Sequence, residues 1–139
     1  MLRGDVIVAA VQEERLSRRK RHVLRGAAPS LAIRYCLDAA GLAPEGIDLV
    51  VFSSPASTAE AANDIRRNPD LRLVERGAPV EIISHHLAHA VSAYALSGFA
   101  DAAAVVIDGA GSPHPDLSPE ERACVVGPVA PGARESISL

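Results

Sequence analysis

The chain has 139 residues, a formal net charge of −3, and 48% hydrophobic against 22% charged residues, which excludes a disordered or fibrous chain and suits one globular domain. The slightly acidic balance argues against bulk nucleic-acid binding, and no apolar stretch approaches the ~20 residues that span a bilayer. Aromatic residues are 3%, so the core must be aliphatic.

No signal-peptide cleavage pattern follows the N-terminus. The two cysteines, Cys36 and Cys124, lack metal-type spacing and read as free thiols of a cytoplasmic protein. Gly4-Asp5 is a hairpin-type turn ahead of the apolar run Val6 to Val11, predicted as the second strand of a hairpin. Only Met1, Leu2 and Arg3 precede it, so an unpaired edge and a late start of the chain are expected. Gln12 to His22 swings to strong polarity. The basic residues from Arg15 to Arg25 read first as a solvated loop and second as an anion-facing one. No aromatic residue interleaves them, which removes the stacking platform of a single-strand binder.

Pro29-Ser30 opens a helix that Gly41 ends, with Ile33, Cys36, Leu37 and Ala40 on its apolar face. Residues 47–53 (IDLVVFS) read as a buried strand, and Ser57 to Asn68 as a helix closed by Pro69. A strand over Pro79 to Ser84, a helix over His86 to Ser97 and a strand over Ala102 to Ile107 complete a β-α-β-α-β-α-β order, an α/β layer structure. Cys36 and Val105 should be core. Five prolines from Pro113 to Pro131 make residues 112–134 a Pro-rich loop, before Glu135 to Leu139 begins another strand, where the chain stops early by this reading.

Three of the five histidines fall within five positions: His85, His86 and His89. Residues four apart on a helix share a face, so His85 and His89 can hold one ion; His86 and His89 could do so less well. Asp108, at the end of a strand, is the natural third ligand. Gly109 and Gly111 would let a cofactor or phosphate approach the backbone. Such a set suits several divalent ions. Ordinary structural histidines are the competing reading, and His22 and His114 are taken as surface residues. A metalloprotease is disfavoured, because no glutamate lies between His85 and His89. A Gly-x-x-x-x-Gly-Lys phosphate loop is absent too.

The run HHLAHAVSAY at 85–94 with DGAG at 108–111 resembles the carbamoyltransferases that decorate nodulation factors and antibiotics. VAAVQEERLSRRK at 8–20, AIRYCLDAAGL at 32–42 and IDLVVFS at 47–53 are similar to that family's early elements, in the same order. The resemblance implies a partial actin-like ATPase (ribonuclease H-like) lobe, a mixed sheet flanked by helices and truncated at both ends. Residues 1–139 would be a single incomplete N-terminal lobe. It implies a divalent metal, iron first with zinc or magnesium also compatible, held by His85, His89 and Asp108, with His86 beside the site. ATP would be the second cofactor. Carbamoyl phosphate and a small-molecule hydroxyl acceptor would be the partners, linked through a carbamoyl-adenylate.

The sequence departs from the family by lacking its opening His-Asp-Ser-Ser-Ala type strand, its second lobe with a further metal aspartate, and its adenylate-forming domain. A chain so reduced is expected to be inactive alone and to need the missing lobe or a partner chain. The related enzymes that place threonylcarbamoyl on tRNA are an alternative. A non-catalytic remnant serving as an interaction module is another.

Overall fold

The computed structural model describes residues 1–20, 22, 28–75, 77–127 and 132–138. In chain order the elements are β1 (Leu2–Arg3), β2 (Val6–Ile7), α1 (Glu13–Ser17), α2 (Leu31–Ala40), β3 (Val50–Ser53), α3 (Thr58–Arg67), α4 (Pro69–Glu75), β4 (Val80–Ile83), α5 (His85–Ser97), β5 (Val106–Ile107), α6 (Pro119–Cys124) and β6 (Ile137–Ser138). Short 3-10 turns lie at Pro44–Gly46 and His114–Asp116. The class is mixed α/β, but among the described residues the single sheet expected from the sequence is replaced by three two-stranded ones, β1-β2, β3-β4 and β5-β6. The chain forms two compact units: Met1–Val50 with Ala62–Glu81, and Val51–Ala61 with Ile82–Leu139.

In the first unit, the predicted hairpin forms with two-residue strands rather than one running from Val6 to Val11. Leu2 pairs with Ile7 and Arg3 with Val6, so the short upstream segment is the partner and the expected unpaired edge is filled on that side. Gly4 sits at φ +61 in the first central position of the turn, where a side chain would be strained. Ala9, Leu37, Ile65, Leu71, Val74 and Ala78 form an aliphatic core. Cys36, expected there, is only half-buried.

Helix α2 begins and ends where Ser30 and Gly41 predict. The Ser30 Oγ accepts the Ile33 amide at 3.1 Å, and Gly41 takes the left-handed conformation. Its amino end is also covered by the buried carboxylate of Glu13, which accepts the Leu31 and Ala32 amides at 3.0 and 2.9 Å and the Ser30 hydroxyl at 3.1 Å. Burial works to raise the Glu13 pKa, but these donors outweigh it and hold the carboxyl below its usual range.

Asp70 accepts the Ser30 amide at 2.6 Å and the Arg34 guanidinium at 3.1 Å. Asn68, predicted as the last residue of one helix, opens the next. Its Oδ1 accepts the Asp70 and Leu71 amides at 3.0 and 3.1 Å, so α4 follows at once. Of the basic run, Arg15, Arg18, Arg19 and Lys20 are exposed, while Arg21 and Arg25 lie outside the described residues. His22 is half-buried rather than at the surface.

In the second unit, the strand expected over Ala102 to Ile107 shrinks to Val106–Ile107, paired antiparallel with β6. Burial falls on Val106 at 8% exposure and leaves Val105 at 58%, reversing the expectation for Val105. A strand's faces alternate, so a register one residue off inverts the assignment. The strand expected over residues 47–53 likewise begins only at Val50, and its alternating exposure, with Val51 at 55%, is not that of a buried strand.

The segment 112–134 is not a plain loop. Ser118 Oγ accepts the Glu121 amide at 3.2 Å and Glu121 Oε2 accepts the Ser118 amide at 2.8 Å, a capping box that starts α6 at Pro119. His114, taken as a surface residue, is 6% exposed, and neither ring nitrogen meets a hydrogen-bond partner among the described residues.

Candidate metal centre

The sequence of α5 explains its placement. Ser84 ends the extended segment, and its hydroxyl accepts the Leu87 amide at 3.3 Å, so the helix starts at His85, one residue earlier than predicted. The same hydroxyl donates to Glu121 Oε1, tying this cap to the start of α6. Starting there puts His85 and His89 one turn apart on one face, with ring centroids 4.5 Å apart and the rings edge to face at 78°.

Asp108 follows β5 directly, and its amide donates to the Ser136 carbonyl at 3.0 Å, extending the β5-β6 pairing to Asp108 itself. The Gly109 amide donates to Oδ1 at 2.6 Å, leaving Oδ2 for the histidines. His85 Nε2 lies 2.8 Å from Oδ2, His89 Nε2 3.6 Å from it, and the two ring nitrogens are 3.2 Å apart. These three residues form a group whose ligand-type atoms all lie within 4.8 Å of one another.

With each imidazole protonated at Nδ1, three electron-pair donors converge on one point and repel unless a proton or cation lies among them. A point equidistant from all three atoms is about 2 Å from each, close to the ~2.0–2.2 Å of zinc bonds to nitrogen or oxygen. The residues therefore fit a divalent ion with three protein ligands and room for others. Without an ion, the Gly109 amide foremost, then a hydrogen bond from His85 when its Nε2 carries the proton, holds the Asp108 carboxyl below its usual range.

His86 is excluded from this group. Its ring is 1% exposed and turns to β6, where Nδ1 lies 2.9 Å from Ser138 Oγ and 4.0 Å from Glu135 Oε1. Of the two spacings the sequence left open, the structure brings together His85 and His89. Gly109 faces open space, whereas Gly111 is buried against Glu135 and His86. Glu135, Ser112 and Ser138 were not singled out from sequence. Their contacts to α5 span 27 to 52 positions, and nothing local announces them.

A cavity of about 660 Å3 adjoins the group, with His89 and Asp108 in its lining beside Ala90, Tyr94, Phe99 and Val105. That volume is in the range of small-molecule sites, roughly 300–1,000 Å3. No helix among the described residues is long and apolar enough to cross a membrane.

The chain combines a mixed α/β fold with a His-His-Asp group at a helix start and a strand end. Among curated proteins it is similar to Nodulation protein NolNO of Sinorhizobium fredii (strain NBRC 101917 / NGR234), 30% identical over 131 residues, covering 80% of this chain and 19% of that protein. It is also similar to Uncharacterized protein sll1178 of Synechocystis sp. (strain ATCC 27184 / PCC 6803 / Kazusa), 29% identical over 145 residues, covering 80% of this chain and 23% of that one. The chain thus spans about a fifth of the length of the curated relatives it matches. No family model matches it, and no solved structure does.

Proposed function

We propose that this chain is the metal-bearing N-terminal part of an ATP-dependent O-carbamoyltransferase, moving a carbamoyl group from carbamoyl phosphate, through a carbamoyl-adenylate, to a small-molecule hydroxyl. The observation that carries the reading is the convergence of His85 Nε2, His89 Nε2 and Asp108 Oδ2, within segments that resemble that family. The similarity to a nodulation protein agrees with it. The actin-like lobe, and iron in preference to zinc or magnesium, belong to the same proposal.

His85, His89 and Asp108 would hold the ion. When bound, it supplies Lewis-acid polarisation of phosphate oxygens and a template for the acyl donor. The chain's own residues do the rest of the local work. The start of α5, capped by Ser84 and held at the His85 amide by Ser112, presents the His85 ring. The Gly109 amide occupies Oδ1 of Asp108 and lowers its pKa, leaving Oδ2 for the ion. Gly109, open on its Cβ side, lets a nucleotide or phosphate approach the backbone at this end of the cavity. Gly111 contributes through its small size. The proposal assigns closure around ATP and acceptor choice to segments that the longer relatives carry outside the matched stretch, so turnover is expected of the assembled enzyme.

The test is magnetic. The chain is loaded with Co2+, dialysed, and mixed with carbamoyl phosphate or ATP while the 31P resonances are recorded. The expected result is selective broadening that His85→Ala removes. Broadening no greater than in the His85→Ala control would end the phosphate reading while leaving the cation site to be judged by metal analysis.

A further inference from the structure

We propose that Glu135 is a positioning residue for the His85–His89–Asp108 group, a buried carboxylate that holds both elements carrying the ligands in one register. The proposal deepens the cation-site reading and rests on it for its link to metal affinity, but not for its structural content.

Glu135 is 2% exposed, yet it carries a carboxylate, so its partners decide whether it can stay there. Its Oε2 accepts the Ser112 amide at 2.9 Å and, more weakly, the His86 amide at 3.4 Å in the first turn of α5. A carboxylate at that end of a 13-residue helix also meets the favourable end of the helix dipole. Ser112 passes the constraint on, since its Oγ accepts the His85 amide at 2.9 Å. The main chain of Glu135 completes the clamp: its carbonyl accepts the Gly111 amide at 2.7 Å, and its amide donates to the Ser112 carbonyl at 3.0 Å. One residue therefore grips the loop that begins at Asp108 and the helix turn that bears His85.

Gly111 gives an independent sign of the same arrangement. A Cβ there would lie 2.5 Å from Glu135 Cβ and 2.8 Å from Glu135 Oε2, so the carboxylate reaches its partners only because position 111 has no side chain. A glycine that the sequence assigned to cofactor approach is required by this packing. The His86 ring adds a link from α5 to β6 through Ser138. Outer partners that fix ligand orientation typically change metal affinity 10- to 100-fold when removed.

The experiment compares wild type, Glu135→Gln, Ser112→Ala and Leu117→Ala in the 139-residue chain. Leu117 is a buried residue of the same unit, and its variant controls for simple loss of stability. Folding is followed by circular dichroism, Co2+ affinity by titration of its visible absorption, and the His85 and His89 rings by long-range 1H–15N spectra without metal. Glu135→Gln is expected to weaken Co2+ binding about 10- to 100-fold, to change the Co2+ band shape, and to shift both metal-free ring signals. Ser112→Ala should act in the same direction, and it serves as the decisive variant if Glu135→Gln does not fold. Leu117→Ala should melt earlier with wild-type affinity and ring signals.

Unchanged ring signals in a folded Glu135→Gln or Ser112→Ala overturn the proposal, as does an equal loss of affinity in Leu117→Ala. If wild type takes up no Co2+ while the variants still shift both rings, the positioning role stands and the cation reading falls.

Discussion

At the scale of single residues, the site separates what spacing encodes from what only tertiary structure supplies. His85 and His89 were legible because a four-residue interval on a helix has one geometric meaning. Asp108 was legible as a carboxylate at a strand end. Glu135 and His114 were not, since a lone acid before a short strand and a lone histidine among prolines carry no local pattern. Asp108 is partly exposed and its carboxylate contacts are to Gly109, His85 and His89. Asp108→Asn should therefore keep the fold, seen as an unchanged melting temperature, while lowering Co2+ affinity at least tenfold in a competition titration. Gly111→Ala should do the reverse in emphasis. Its methyl group meets Glu135 at 2.5 Å, and relieving such a clash typically costs ~1–3 kcal/mol, read as a lower urea midpoint.

At the scale of elements, caps explain most of the boundaries. Ser30, Asn68, Ser84 and Ser118 each supply a side-chain acceptor to a free helix amide, and the Ser30 start was read correctly from Pro29-Ser30. The capping box at Ser118 was missed because the surrounding prolines dominated the reading, although Pro119 at the first helical position favours a helix there. Ser118→Ala should cost about 1 kcal/mol in chemical unfolding.

Glu13 makes a pH prediction for α2. Its folded pKa lies below the ordinary 4.5, so its contribution is fully present above that value and fades as pH falls through the lower folded one. Wild type should lose stability in this acid window more steeply than Glu13→Gln. At neutral pH Glu13→Gln should be the less stable, by ~1–3 kcal/mol for a buried hydrogen-bonded charge partly replaced. Equal slopes with acid would show that Glu13 is not the ionised cap of α2.

At the scale of the whole molecule, the order of the predicted elements led to the α/β class and composition to the aliphatic core, and the helices α2, α3 and α5 came through within a residue or two. The strands did not. Val6 to Val11, residues 47–53 and Ala102 to Ile107 are apolar enough to read as long buried strands, yet only two to four residues of each pair with a neighbour. Pairing depends on partners distant in sequence, and β-propensity without a partner fixes neither length nor facing. That is why Val106 rather than Val105 is buried, while Asp108, just past the paired residues, lies at the strand end as expected.

The most direct measurement is X-ray absorption on the Co2+- or Zn2+-loaded chain, which counts imidazoles around the ion. The expected result is a first shell at ~2.0–2.2 Å containing two imidazoles, falling to one in His89→Ala and accompanied by loss of stoichiometric binding in His85→Ala. A shell without imidazole scattering, or one identical in wild type and His89→Ala, would contradict the assignment of His85, His89 and Asp108 as a cation site.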